Sequence, residues 1–207
     1  MVRHGQTDFS RENRFCGSID PPLSALGHQM ADALGSAYGA HGWDAIYCSP
    51  SQRARHTAAP LAARANREPI IEEGLREVSY GEWEGMKHEE AKSRFPDAYA
   101  WWSQDTASRA TPGGETAFMV AARAAPVIER IRREHTTGRV LVVSHKATLR
   151  ILVCALLGMD VRLFRERIGQ PVCAVSRFEI KPQGPAMLTT LGDVSHLPAE
   201  LRGAEGT

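Results

Sequence analysis

Several things are scarce in this chain, and each scarcity excludes a class of protein. No apolar run is long enough to span a bilayer, so a membrane-spanning helix is not expected. The four cysteines, Cys16, Cys48, Cys154 and Cys173, lie far apart, which excludes a zinc ribbon or a Cys-x-x-Cys redox motif. They read as small buried or half-buried thiols in a reducing compartment. Charge of one sign is missing too: 25 basic against 24 acidic residues leave a net charge of +1. No global field draws the chain to nucleic acid or to a membrane, so any anion preference must come from a local cluster. Internal repeats and low-complexity segments are absent. Only Met1 and Val2 precede the first chemically suggestive residues, Arg3-His4-Gly5, whereas a central strand needs about five residues. No secretory leader is expected in so short a lead, and a cytoplasmic location is the default. The expectation is that the native protein begins upstream and that Met1 is internal to the first strand.

What is present is an alternation of strand and helix signals in 207 residues. Ser24 reads as the N-cap of a helix running to Tyr38, with Leu26, Met30, Ala33, Leu34 and Ala37 as its apolar stripe. Residues 44–48 form a short strand, and Ser49-Pro50 opens a helix to about Ala65, Pro50 being tolerated in its first turn. Ile70-Ile71 is a further short strand. Residues 74–112 carry charge and the aromatics Trp83, Trp101 and Trp102 without long periodicity, and read as a cap of loops and short helices. A helix follows over about 115–134. The run Arg139-Val140-Leu141-Val142-Val143 has the composition of a buried parallel strand, and a helix follows to about Leu157. Residues 172–180 and 187–191 suggest an antiparallel pair at the sheet edge, able to pair across a homodimer. Residues 198–207 read as a loose tail.

This order predicts one α/β domain over 1–207: a three-layer α/β/α sandwich with a mostly parallel central sheet and a small cap over the carboxyl ends of its strands. Ligands sit beyond such strand ends. Three exits converge there, at His4, at Cys48-Ser49-Pro50 leading to Arg53, and at Ser144-His145. Two imidazoles and a guanidinium suit a tetrahedral anion. A histidine can attack phosphorus, and an arginine fork matches phosphoryl oxygens. Arg53 in a first helical turn adds to the favourable end of a helix dipole. The loop after the first strand supplies Thr7, Asn13, Arg14, Cys16 and Gly17.

Four blocks stand in order: Arg3-His4-Gly5; Ser49-Pro50-Ser51-Gln52-Arg53-Ala54-Arg55-His56-Thr57-Ala58; Leu75-Arg76-Glu77 through Gly81-Glu82-Trp83-Glu84-Gly85; and Ser144-His145. With Pro112-Gly113-Gly114-Glu115-Thr116, they resemble the histidine phosphatase superfamily, the phosphoglycerate-mutase-like fold, over nearly the whole chain. The resemblance implies that His4 is the nucleophile and becomes a phosphohistidine. It implies that Arg3, Arg53 and His145 hold the phosphoryl oxygens, and that Glu77 is the proton donor and then the base, ahead of Glu82 and Glu84. Thr7, Ser10, Asn13, Cys16, Gly17, Tyr80 and Lys146 are further candidates for binding the phosphate or the substrate. No metal and no cofactor is implied, because fixed cations supply the field that stabilises phosphoryl transfer.

Three positions depart from the family pattern. Ser10 stands where mutase-like members carry a phosphate-reaching asparagine. Gln6 replaces a frequent glutamate. Lys146 replaces the usual glycine; it clashes with a close approach, adds a cation for a second anionic group, or points into solvent. The reading is a metal-independent phosphomonoesterase acting on a small phosphorylated metabolite. The aromatic cap hints at an apolar or ring-bearing substrate. One alternative is a cofactor-dependent phosphoglycerate-type mutase, favoured by Tyr80 but not by residues 100–105, which lack a paired arginine. Others are a non-catalytic phospho-ligand binder and a metal-dependent hydrolase built on His4, His145 and His56.

Overall fold

The computed structural model describes residues 1–204 and 206. Its elements run β1 (Val2–Arg3), α1 (Asp8–Arg11), α2 (Ala25–Tyr38), β2 (Ala45–Cys48), α3 (Gln52–Ala65), β3 (Ile70–Ile71), α4 (His88–Arg94) and α5 (Pro96–Gln104). Then follow α6 (Ala117–Glu134), β4 (Val140–Ser144), α7 (Lys146–Leu157), α8 (Phe164–Arg167), β5 (Val175–Ile180), β6 (Ala186–Asp193) and α9 (Ala199–Arg202). The strands form one sheet in the order β3-β2-β4-β1-β5-β6. The first four strands in that order are mutually parallel, and β5 runs antiparallel to both of its neighbours.

Alternation along the central strands produces the three layers. Ile46 and Cys48 of β2, with Leu141 and Val143 of β4, pack with Met30, Leu34 and Leu61 of α2 and α3. Ala45, Tyr47 and Val142 face the opposite way, onto Ala124, Val127 and Ile128 of α6 and Leu152 of α7. Both faces of β2 and β4 are therefore covered, as an apolar run without polar alternation requires. The cap has a small core of its own, formed by Phe15, Trp83, Ala91 and Trp102.

Several boundaries differ from the sequence reading, each for a physical reason. Ser51, not Ser49, is the N-cap of α3, so Pro50 lies before the helix. In α2 the buried face is Gly27, Met30, Ala31, Leu34 and Gly35. Leu26 and Ala37 are exposed because α2 approaches α3 closely through Gly35, against Pro60. Strand β5 is interior, pairing with β1 as well as β6, so the open edge on that side is β6 rather than the 172–180 segment. The tail is not loose throughout: α9 buries Leu201 in the main core, and Gly206 is buried. Residues 205 and 207 of that tail lie outside the described residues.

Candidate active site

The carboxyl ends of β1, β2 and β4 finish in step. Arg3 pairs with Ser144 and Cys48 with Val143. The backbone continues that register one residue further: His4 N–H donates to the Ser144 carbonyl at 3.0 Å, and Ser49 N–H to that of Val143 at 3.0 Å. Three chain exits thereby arrive at one edge. At the first, a Cβ on Gly5 would stand 2.7 Å from the Gly27 carbonyl, so the chain crosses the start of α2 only with glycine there. The Gly5 N–H donates to Thr57 Oγ1 at 2.9 Å, and that hydroxyl donates to the Arg53 carbonyl at 2.7 Å. Thr57 thus ties the β1 exit to α3.

His4 is buried, with Nδ1 2.7 Å from the Gly5 carbonyl. A carbonyl only accepts, so Nδ1 carries the proton and Nε2 holds the lone pair. Burial, then the Arg53 and Arg3 guanidiniums, hold its pKa well below the usual histidine value, against a smaller opposing effect of the Gly5 hydrogen bond. The free site therefore presents a neutral imidazole. His145 stands with its ring 5.2 Å from that of His4 and is pushed the same way, by burial and then by Arg53 and His4. Its Nε2 lies 2.7 Å from Ser49 Oγ and 3.2 Å from Ser51 Oγ.

Both arginines are anchored by backbone. Arg53 donates to the carbonyls of Ile19 and Gly17 and pairs with Asp20 at 3.1 Å, while Asp20 also accepts from Gln52 N–H at the start of α3. Arg3 Nη1 donates to the carbonyls of Gln170 at 2.8 Å and Gly206 at 2.6 Å. Among the described residues, three nitrogens at these side chains are buried without a partner: Arg3 Nε, Arg53 Nε and His145 Nδ1. Buried polar atoms are normally satisfied, so unpaired nitrogens on two guanidiniums and a neighbouring imidazole mark room for an anion.

The Glu77 carboxylate sits at the N-terminus of α7. Oε1 accepts from the N–H groups of Val78 and Thr148, each at 3.0 Å, and Oε2 from that of Ala147 at 3.1 Å. The Thr148 hydroxyl lies 2.6 Å from the Arg76 carbonyl and 3.1 Å from Oε1. Oε2 is the freer oxygen. The rival acids are placed elsewhere. Glu82 is exposed, and Glu84 accepts from the N–H groups of Gly17, Ser18, Ile19 and Tyr80, clamping the loop beneath the cap.

The open pocket is lined by Arg3, His4, Thr7, Ser10, Asn13, Cys16, Glu77, Tyr80 and Lys146 among the expected residues. Arg53 and His145 do not line it; both are fully buried at its floor beside His4. Gly17 is likewise off the wall, bonded to Arg53 and Glu84. Thr7 and Ser10 are engaged with each other in a capping box on α1, Thr7 N–H donating to Ser10 Oγ at 3.0 Å and Ser10 N–H to Thr7 Oγ1 at 3.1 Å. Burial raises the Cys16 thiol to about 11. His56 is exposed on α3, its ring 6.0 Å from that of His28.

The tryptophans do not form a substrate wall. Trp83 and Trp102 are buried in the cap core, Trp101 is exposed, and none of the three lines the pocket that holds His4. Sequence reasoning missed Arg150, His88, Phe164 and Arg165, which do line it. The Lys146/Arg150 spacing was a usable signal, since positions four apart share a helix face. Arg165 carried none, because α8 reaches the pocket only through tertiary folding.

Comparison with known proteins agrees with this geometry. The family model of the histidine phosphatase superfamily (branch 1) matches residues 1–191. Phosphoserine phosphatase 1 of Hydrogenobacter thermophilus is 34% identical over 164 residues, 79% of this chain and 78% of that protein. A glucosyl-3-phosphoglycerate phosphatase of Mycolicibacterium vanbaalenii is 33% identical over 168 residues, 78% of this chain and 74% of that one. Among solved structures, Bacillus stearothermophilus YhfR superposes with a TM-score of 0.86 at 32% identity, covering 94% of this chain and 96% of its own. The alpha-ribazole phosphatase from Shigella flexneri gives 0.86 at 26% identity, with 95% of each chain covered. With the strand exits, the buried histidine pair and these relatives in agreement, the chain belongs to the histidine phosphatase superfamily and is a phosphatase.

Proposed function

We propose that the chain hydrolyses a small phosphorylated metabolite by two successive transfers through a phosphohistidine on Nε2 of His4. The observation that carries this reading is the setting of His4: its pKa held well down, its Nδ1 fixed by the Gly5 carbonyl, and beside it two guanidiniums whose Nε atoms are buried without a partner among the described residues.

In the first transfer the Nε2 lone pair attacks phosphorus and the bond to the ester oxygen breaks. Glu77, protonated on Oε2, gives its proton to the departing oxygen, and the alcohol leaves. In the second, the Glu77 carboxylate takes a proton from water as the water oxygen attacks phosphorus. The nitrogen–phosphorus bond breaks, the electron pair returns to His4, and inorganic phosphate leaves. Arg3 and Arg53 supply fixed positive charge to the equatorial oxygens in both transfers. We assign the His145 proton to Nδ1, with Ser49 Oγ donating to Nε2, which makes the ring a neutral donor to the same oxygens, rather than the imidazolium that cation-counting alone suggests. Neutral His4 retains its nucleophilicity at mild acidity because its pKa is depressed.

Phosphate release from a panel of phosphomonoesters, with chelator present, tests this. His4→Ala is expected to lose roughly a thousandfold or more of kcat/KM on every ester while keeping the circular dichroism spectrum of the parent. Turnover retained by His4→Ala contradicts the assignment of the nucleophile.

A further inference from the structure

The outer wall of the pocket is a second basic region that the transfer chemistry does not use. Lys146 and Arg150 lie on the first two turns of α7, four residues apart and so on one face. Arg165 joins them from α8, its guanidinium over the Trp102 ring at 4.8 Å. Among the described residues none of the three side chains makes a salt bridge or donates a hydrogen bond, and Arg150 Nε is buried without a partner. Other cations near the site are neutralised: Arg14 pairs with Glu12 at 2.7 Å and Arg123 with Glu115 at 2.8 Å. Among the described residues the one carboxylate on the pocket wall, Glu77, is taken up by the backbone of α7.

Three like charges gathered without an ion-pair partner among the described residues repel one another. Burial, then Arg3, Arg150 and Arg165, depress the Lys146 ammonium to about 7, with Glu77 opposing, and burial and Arg165 lower Arg150. An entering anion relieves both the repulsion and the unpaired donors. The phosphoryl group cannot be that anion, because on the proposed function it sits on the Arg3, Arg53 and His145 side of His4.

We propose that Lys146, Arg150 and Arg165 form a subsite for a second anionic group on the substrate, a carboxylate or a further phosphoryl group. The preferred esters are then phosphorylated acids or bisphosphates rather than phosphomonoesters of neutral alcohols. This rests on the phosphatase reading above, and the experiment separates the two.

Two matched substrate pairs serve as probes: 3-phosphoglycerate against glycerol 3-phosphate, and fructose 1,6-bisphosphate against fructose 6-phosphate. The readout is the charged-to-neutral ratio of kcat/KM, assayed below the Lys146 midpoint of about 7. The ratio cancels any general effect of a substitution on folding or turnover. In the parent protein it is expected to exceed one for at least one pair, and that pair tells carboxylate from phosphate. Lys146→Met, Arg150→Gln and Arg165→Gln should each lower it about tenfold, mainly through KM, the worth of one hydrogen bond to a charged group. Arg150→Lys, which keeps the charge, should retain most of it. A ratio near one for both pairs, or one that the three variants leave alone, overturns the subsite while 4-nitrophenyl phosphate turnover upholds the phosphatase. Should 4-nitrophenyl phosphate not be hydrolysed, the phosphatase reading fails, and calorimetric binding of the same pairs decides the subsite. Tighter binding of the charged member, lost in Lys146→Met, supports it; equal binding overturns it.

Discussion

Arg53 and Arg150 hold comparable places, each in the first turns of a helix that follows a central parallel strand, yet their surroundings differ. Arg53 is buried and spends its terminal nitrogens on two loop carbonyls and Asp20. Arg150 is half-buried, and its Nε finds no partner among the described residues. The same contrast separates the inner cradle, Arg3, His4, Arg53 and His145, from the outer arm, Lys146, Arg150 and Arg165. Backbone carbonyls fix the inner cations at defined positions, which is what stabilising a transferring phosphoryl group demands. The outer cations are held by packing and have no ion pair among the described residues, which, in the proposed subsite, leaves them to answer to what a substrate brings. Fixed charge suits reaction type, and unpaired charge suits substrate choice.

That contrast can be broken by substitution. The largest expected effect after loss of His4 is at Glu77. Glu77→Gln should slow esters with poor, alkoxide-type leaving groups by about a hundredfold or more and aryl phosphates much less. Equal loss on both, measured as kcat, would assign the proton to another group. Next is Arg53→Lys, which keeps a charge but not the fork that serves Gly17, Ile19 and Asp20. It should lower kcat/KM by roughly tenfold to a hundredfold and by the same factor on charged and neutral members of a substrate pair. A change in the charged-to-neutral ratio would mean that inner and outer cations are not separable.

The smallest effect is on stability. Between the folded midpoint of Lys146, about 7, and the ordinary lysine value, the unfolded chain binds a proton that the folded one does not. Stability therefore rises with pH across that window, and below it the full cost of the buried charge is present. Lys146→Met should raise Tm by a few degrees in mildly acidic buffer, with the gain shrinking as pH climbs above 7. A variant less stable than the parent at low pH would show that Lys146 already has a partner.

Much of the layered fold is written locally. The run before Ser144 is apolar and β-branched, and Ser24 accepts from the Gly27 N–H at 3.1 Å, as an N-cap at that position requires. The cradle was legible because its residues sit within one or two positions of a strand end or a helix start. What escaped depends on packing between distant segments. Trp83 looks the same in sequence whether it walls a pocket or fills a core, and only its contacts with Phe15 and Trp102 place it in the cap core. Arg165 belongs to a four-residue helix with no periodicity to read. The buried end of the tail is set by the Arg3 bond to the Gly206 carbonyl, a contact spanning nearly the whole chain.

The role of His4 as nucleophile is tested by quenching the protein rapidly during turnover of 4-nitrophenyl phosphate and mapping any covalent phosphate by peptide mass spectrometry. Acid-labile, base-stable phosphate on His4 alone is the expected result. Phosphate on any other residue, or steady turnover with none on His4 when hydrolysis of the intermediate is the slow step, would contradict it.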